Sequence, residues 1–362
     1  MSDHSLLINL SALIKRPTGI SVYARNLLPE LKTLEPTILS SQPFANFNHR
    51  AVAPNLTPEY GFKGHVRRLW WLQNALPKIY QELGSRLIFS PLPEAPFYSN
   101  CHFIVTVHDL IPLRFPRPYS PLTNYFRYLV PQILRQAVHI ICDSDSTALD
   151  LERFYQISRS KITTIPLAYD QGNFTYAAPA NSQSAERYFI YVGRQDAYKN
   201  LERLIDAFSR VGPKTDTQLW FVGPQDRRYT PKLISQVKEL ELVHRVRFLD
   251  YVTYTELPNL LRGALALTFP SLWEGFGLPA LEAMACGTSV IASNLSSLPE
   301  VVGDAAVLID PYSVDELADA MGILAKDDQT RDALRCKGLE RVRGFSWQKT
   351  GQQTVDVLKR FL

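Results

Sequence analysis

The 362-residue sequence predicts an α/β protein of two domains, each built on a parallel sheet covered by helices. Two observations carry this. Short apolar runs alternate with helical patterns through both halves, the order that produces parallel sheets. Residues 170–187, rich in Ala, Gln, Asn and Ser and without hydrophobic periodicity, interrupt that rhythm, and a strand, a glycine turn and a helix then begin again. The length, about twice a common domain, agrees. The expected division is a first domain over 1–169, a linker over 170–187 and a second domain over 188–347, with a closing helix at 348–362.

In the first half, residues 6–10 (Leu-Leu-Ile-Asn-Leu) read as a buried strand, and 17–28 as a glycine turn feeding a helix with Ile20, Ala24, Leu27, Leu28 and Leu31 on one face. Gly19 is either a ligand-approach point or an ordinary βα turn. Residues 64–84 form a helical pattern carrying Arg67, Arg68, Trp70 and Trp71. Such a cluster can bind a membrane interface; the plainer expectation is tryptophans packed inward and arginines solvated. Strands follow at 87–91 and 103–112, the second ending in His108 and Asp109. Open α/β sheets collect ligands at such strand ends, although loop His and Asp also satisfy nearby backbone. A helix over 118–137 with Tyr125, Phe126 and Tyr128, a strand over 138–142, and cap residues in Asp143-Ser-Asp-Ser146 for a helix through Phe154 precede a last strand at 162–167.

The second half opens with a strand from Tyr188, a glycine turn holding Arg194 and Lys199, and a helix over 201–211. Two cations in a strand-to-helix turn suit a diphosphate, Arg as a fork and Lys as a point charge. Strands follow at 218–223 and 246–249, with Tyr251 and Val252 just beyond the latter. Glu256 and Glu316 close capping boxes with Thr253 and Ser313 and are assigned structural roles. After a strand over 264–270 comes the segment 271–287, Ser-Leu-Trp-Glu-Gly-Phe-Gly-Leu-Pro-Ala-Leu-Glu-Ala-Met-Ala-Cys-Gly. Gly275 and Gly277 let backbone approach a ligand, and the helix opening at Leu278-Pro279 turns its positive end toward an anion. Glu274 and Glu282 flank this loop, the second expected in the first helical turn; with Pro279 three residues before it, no Ser or Thr completes a capping box.

This segment resembles the E-x7-E signature of retaining GT-B glycosyltransferases of family 4. The likeness extends upstream to 257–264 and downstream to 297–304 and Asp310-Pro311. The Gly-Arg-x4-Lys turn ending at Lys199 is similar to the family's phosphate-binding loop, except that Asn200 stands where many members have glycine, which leaves the loop's backbone shape open. The resemblance implies the GT-B architecture: two facing Rossmann-like domains with parallel sheets and a cleft between them, the second holding a nucleotide-sugar donor and the first an acceptor. It implies that Arg194 and Lys199 meet the diphosphate beside the backbone of Gly275, Phe276, Gly277 and Leu278. Glu282 would hold the ribose, Glu274 and His108-Asp109 the sugar, and Tyr251 and Val252 the nucleobase, with Gly19 in the first loop of the other domain.

By the same resemblance the reaction retains anomeric configuration, the donor phosphate helping to deprotonate the acceptor. The chain is most similar to mannosyltransferase-like members through 18–23 and 108–112, which favours GDP-mannose, with a UDP-glucose-type donor as the alternative. The acceptor expected is a glycan or lipid-linked glycan of surface polysaccharide or glycolipid synthesis. A GT-B epimerase or phosphorylase and a non-catalytic nucleotide-sugar sensor stay open as other classes. No Asp-x-Asp pair stands beside the expected diphosphate loops, so neither metal nor other cofactor is expected. The net charge of +4, without a basic stripe or stacking array, does not point to nucleic acid. Cys101, Cys142, Cys286 and Cys336 lack metal spacing. The short polar-interrupted run at 6–14 is neither signal peptide nor membrane span, so a cytoplasmic protein is expected, with peripheral contact at the inner face of the membrane left open.

Overall fold

The computed structural model describes residues 5–14, 19–177, 186–250 and 252–362. The chain divides into two compact units, Met1–Leu167 with Trp347–Leu362, and Ala168–Ser346.

Unit 1 is a seven-stranded parallel sheet of β1 (Leu6–Asn9), β2 (Thr37–Ser40), β3 (Asn48–Ala51), β4 (Leu87–Ser90), β5 (Phe103–Val107), β6 (His139–Cys142) and β7 (Ile162–Thr164), in the order β3-β2-β1-β4-β5-β6-β7. β1, β2, β4, β5 and β6 are buried along their whole length because helices cover both faces. β2 and β3 have no counterpart in the sequence reading. The apolar run of β2 is only four residues, and β3 is a polar, mostly exposed edge, so neither shows a strand period.

Two details of the expected helices change. The first helix, Gly19–Leu27, continues as a 3-10 turn, Leu28–Leu34, and buries Tyr23, Ala24, Leu27, Leu28 and Leu31, while Ile20 faces outward. In the helix Gly61–Asn74 the inward face is Gly64, Arg68, Trp71 and Leu72. Only one tryptophan is therefore core, and one arginine is buried beside it. Arg68 is stabilised there by a bidentate pair to Glu94 (2.7 and 2.8 Å) and a bond to the Leu56 carbonyl.

The helix Trp347–Lys359 packs on the Leu28–Leu34 turn and the Gly19–Leu27 helix, burying Thr350, Gly351, Thr354, Val355, Val357 and Leu358. Small residues allow this approach: a Cβ at Gly351 would lie 2.1 Å from the Glu30 Cβ. Gly351→Val is expected to cost about 3 kcal/mol by overpacking, read as a lower urea midpoint for unit 1.

Unit 2 is a six-stranded parallel sheet of β8 (Tyr188–Val192), β9 (Gln218–Val222), β10 (Val246–Leu249), β11 (Ala266–Phe269), β12 (Ser289–Ser293) and β13 (Val307–Ile309), in the order β10-β9-β8-β11-β12-β13. The stretch expected to begin a linker at residue 170 is built into this unit. Phe174 is buried edge-on against Tyr254, and the Asn173 amide donates to the Tyr254 carbonyl at 2.8 Å. One aromatic anchor in a polar stretch has no period, which is why composition alone reads as a tether. Among the described residues no helix is long and apolar enough to cross a membrane.

Candidate functional site

In unit 2 the strand order reverses between β8 and β11, since the chain proceeds outward through β9 and β10 on one side and β12 and β13 on the other. Ligands of open α/β sheets bind outside the carboxyl ends of the strands at such a reversal. The loop after β8 carries Arg194 and Lys199; the loop after β11 carries residues 274–277.

The structure joins the two loops directly. Lys199 Nζ lies 2.6 Å from Glu274 Oε1, with both side chains about nine-tenths buried. An ion pair so enclosed survives because each charge is the other's compensation. Lys199 is placed by the short helix Ala197–Lys199 and by Asn200 behind it. Asn200 adopts the left-handed conformation (φ 62°), which glycine takes freely and Asn tolerates best among side-chain-bearing residues. The departure from glycine thus keeps a glycine-compatible backbone. Its amide donates to the Pro270 and Pro311 carbonyls (3.1 and 2.6 Å), tying the β8 loop to the segments that follow β11 and β13. Asn200→Ala is expected to cost about 2–3 kcal/mol from the conformation and the stranded carbonyls, and Asn200→Gly less, by urea unfolding. Equal losses would show that the backbone conformation contributes nothing.

The glycine loop is held from below. Ser296 Oγ accepts the Glu274 N–H at 3.0 Å, and Ser297 Oγ donates to the carbonyls of Glu274 and Phe276 (3.1 and 2.6 Å). Phe276 is buried, and Gly277 precedes the helix Leu278–Ala285 at φ 119°, where a Cβ would also meet Leu298 at 2.7 Å. Only glycine fits there. Arg194 is largely exposed and its Nε is 3.2 Å from Asp196 Oδ2.

Glu282 is the fifth residue of that helix, in its second turn rather than its first, because the helix begins at Leu278. Burial, reinforced by the negative charge of Asp170, pushes its carboxyl up to about 8. Asp170 accepts the Gly172 N–H at 2.9 Å and faces the Tyr254 hydroxyl at 3.3 Å. Asp170 and Tyr254 escaped sequence reasoning, since one lies in the polar stretch and the other beside a capping box.

In unit 1, β5 and β6 pair with Val107 opposite Cys142, so His108 and Asp143 emerge side by side. His108 Nδ1 is 2.7 Å from Asp143 Oδ2 and its Nε2 is 3.0 Å from the Pro91 carbonyl. Both partners can accept hydrogen bonds, which suits the doubly protonated ring. Burial lowers the His108 pKa, but Asp143's charge and hydrogen bond, the Pro91 carbonyl and Asp109 outweigh it and raise it overall. Asp143, expected as a cap residue, is instead this partner; Ser144 caps the helix Asp145–Tyr155. Asp109 Oδ1 accepts the Ile111 N–H at 2.9 Å, the local backbone role.

Gly19 is the first residue of its helix, with open space where a side chain would stand. Val252 lies half-buried beyond β10, and Tyr251 lies outside the described residues.

Residues 174–341 match the family model Glycosyl transferases group 1, and residues 17–172 match Glycosyltransferase Family 4. The chain is 30% identical over 267 residues to O-antigen chain mannosyltransferase B of Escherichia coli, covering 71% of this chain and 70% of that one. It is 27% identical to O-antigen chain mannosyltransferase RfbU of Salmonella typhimurium, covering 84% and 87%. In fold it is similar to sucrose-phosphate synthase from Thermosynechococcus elongatus, with a TM-score of 0.78, 21% identity and 98% of each chain covered.

Proposed function

The chain belongs to the group 1 glycosyltransferases of family 4, and from that membership we propose that it transfers mannose from GDP-mannose to a glycan or lipid-linked glycan of a surface polysaccharide, in the cytoplasm and with retention of configuration. The choice of sugar and acceptor class is supported by the two O-antigen mannosyltransferases it resembles. The observation that carries the site is the Lys199–Glu274 pair at the switch point between β8 and β11.

In the proposed reaction the bond from the sugar C1 to the diphosphate oxygen breaks, the acceptor oxygen bonds to C1, and the acceptor proton passes to the departing phosphate. Charge grows on the diphosphate, and fixed cations and helix-end N–H groups stabilise it best when already in place. Lys199, Arg194 and the backbone at 275–278 fill that role without a metal. Glu274 receives the sugar hydroxyls and Glu282 those of the ribose. Incubation with GDP-, UDP- and ADP-hexoses tests the reading: GDP-mannose should be slowly hydrolysed in preference to the others. Preference for a UDP-hexose would overturn the donor assignment, and inertness toward all of them the site.

Donor affinity should depend on pH through Glu282, because ribose hydroxyls donate more strongly to a carboxylate, which accepts at both oxygens, than to the protonated acid, whose O–H is itself a donor. Affinity is expected to rise as pH passes about 8, and Glu282→Gln should remove that dependence. The stability effect has the opposite sense. The folded group holds a proton that the unfolded one, with its ordinary value of 4.5, releases, so this contribution is complete below 4.5 and lost as pH rises to about 8. Titration calorimetry of donor binding at pH 6.5 and 8.5 reads the first effect, and equal affinities would refute it.

A further inference from the structure

The helix Gly61–Asn74 turns one apolar stripe away from the protein. While Gly64, Arg68, Trp71 and Leu72 are buried, Phe62 is 66% exposed, Val66 47% and Trp70 66%. Spacings of four residues place these three in one row, about 12 Å long. Single exposed apolar residues are ordinary; an aligned row with two large aromatics is not. Lys63 and Arg67, one turn apart, are exposed along its flank, and the helix contains no Asp or Glu.

Neighbouring segments carry more of the same chemistry. Gln73 of this helix accepts the N–H of Phe97 at 3.0 Å, next to Tyr98, which is largely exposed. His65 lies 5.6 Å from the ring of Tyr125, in the turn that also bears exposed Tyr128.

We propose that this helix face is an interfacial anchor for a bilayer with anionic headgroups. Phe62, Val66 and Trp70 enter the boundary between headgroups and acyl chains, and Lys63 and Arg67 extend from the flank to lipid phosphates. Charge decides the occupant. A second copy docking on the same face about a two-fold axis would bring the same cations together, whereas an anionic bilayer meets both the apolar row and the flanking charges. The anchor is independent of which donor the enzyme uses.

Co-sedimentation of the whole protein with vesicles of phosphatidylcholine, with and without 30% phosphatidylglycerol, tests it on the order of charge effects known for such helices. Binding is expected only to the anionic vesicles, with a blue shift of tryptophan emission, and should weaken in high salt. Phe62→Ser/Val66→Ser/Trp70→Ser, all at outward positions, should lower vesicle binding about tenfold or more while circular dichroism and donor hydrolysis stay unchanged. Lys63→Glu/Arg67→Glu should do likewise. The proposal is overturned if the wild type ignores anionic vesicles, if the triple-serine variant binds them equally, or if the face instead drives self-association that the variant abolishes.

Discussion

Lys199→Met is expected to abolish sugar transfer and to lower the stability of unit 2 by about 3–5 kcal/mol, because it leaves the Glu274 carboxylate buried without its partner. Stability and catalysis can then be separated. In Lys199→Met/Glu274→Leu both charges are gone, and apolar side chains of similar size fill the enclosure, beside the Phe269 ring that Lys199 now overlies at 5.4 Å. The double variant should regain most of the lost stability, as buried pairs replaced together often do, yet stay slower than wild type by roughly 100-fold or more. Urea unfolding and donor-turnover rates measure the two effects. A double variant that is stable and active would show that the pair is scaffolding alone.

Asp143→Asn is expected to slow transfer on the order of 100-fold, the lower end of what a positioned acid or base contributes. The groups facing His108 are Asp143 after β6, the Pro91 carbonyl after β4, Asp109 on its own strand end and the edge-on ring of Tyr23, 4.9 Å away. With the carboxylate neutralised, the raised pKa of His108 must fall. The sign follows. A raised histidine contributes charge-linked stability below its unfolded value, near 6.5, that is lost as pH rises through the folded value. In Asp143→Asn this loss should move to lower pH, and with it the alkaline fall in transfer rate that a participating imidazolium would produce. Nitrogen-detected titration of the His108 ring follows the first and a pH–rate profile the second. A moved titration with an unmoved profile would mean that the imidazolium takes no part in the reaction.

Much of this was legible in the chain because parallel-sheet strands announce themselves as apolar runs: β5 (Phe-Ile-Val-Thr-Val) and β8 (Tyr-Phe-Ile-Tyr-Val) could hardly be anything else. The loops after β8 and β11 were legible for another reason, since glycines, cations and paired acids at strand ends are not what core packing requires. The missed features are those fixed by pairing across distance. Asp143 reads as a cap residue until β5 and β6 are in register, which sets it beside His108, 35 positions earlier. Lys199 reads as a cation for a diphosphate, and its pairing with Glu274 shows only when the β11 loop brings that carboxylate against it. The burial of Arg68 and the exposure of Trp70 invert ordinary preference, and only the Glu94 carboxylate explains the first. Asn200 shows the converse, a departure in residue type that leaves the φ of the loop as glycine would have it.

Titration calorimetry of GDP-mannose against the wild type and Glu282→Gln, at pH 8.5, puts the switch-point site to its sharpest test. The donor should bind the wild type and bind Glu282→Gln at least tenfold more weakly, a loss of about 1.4 kcal/mol for the hydroxyl contacts of one carboxylate. Equal affinity in the two proteins would place the nucleotide elsewhere.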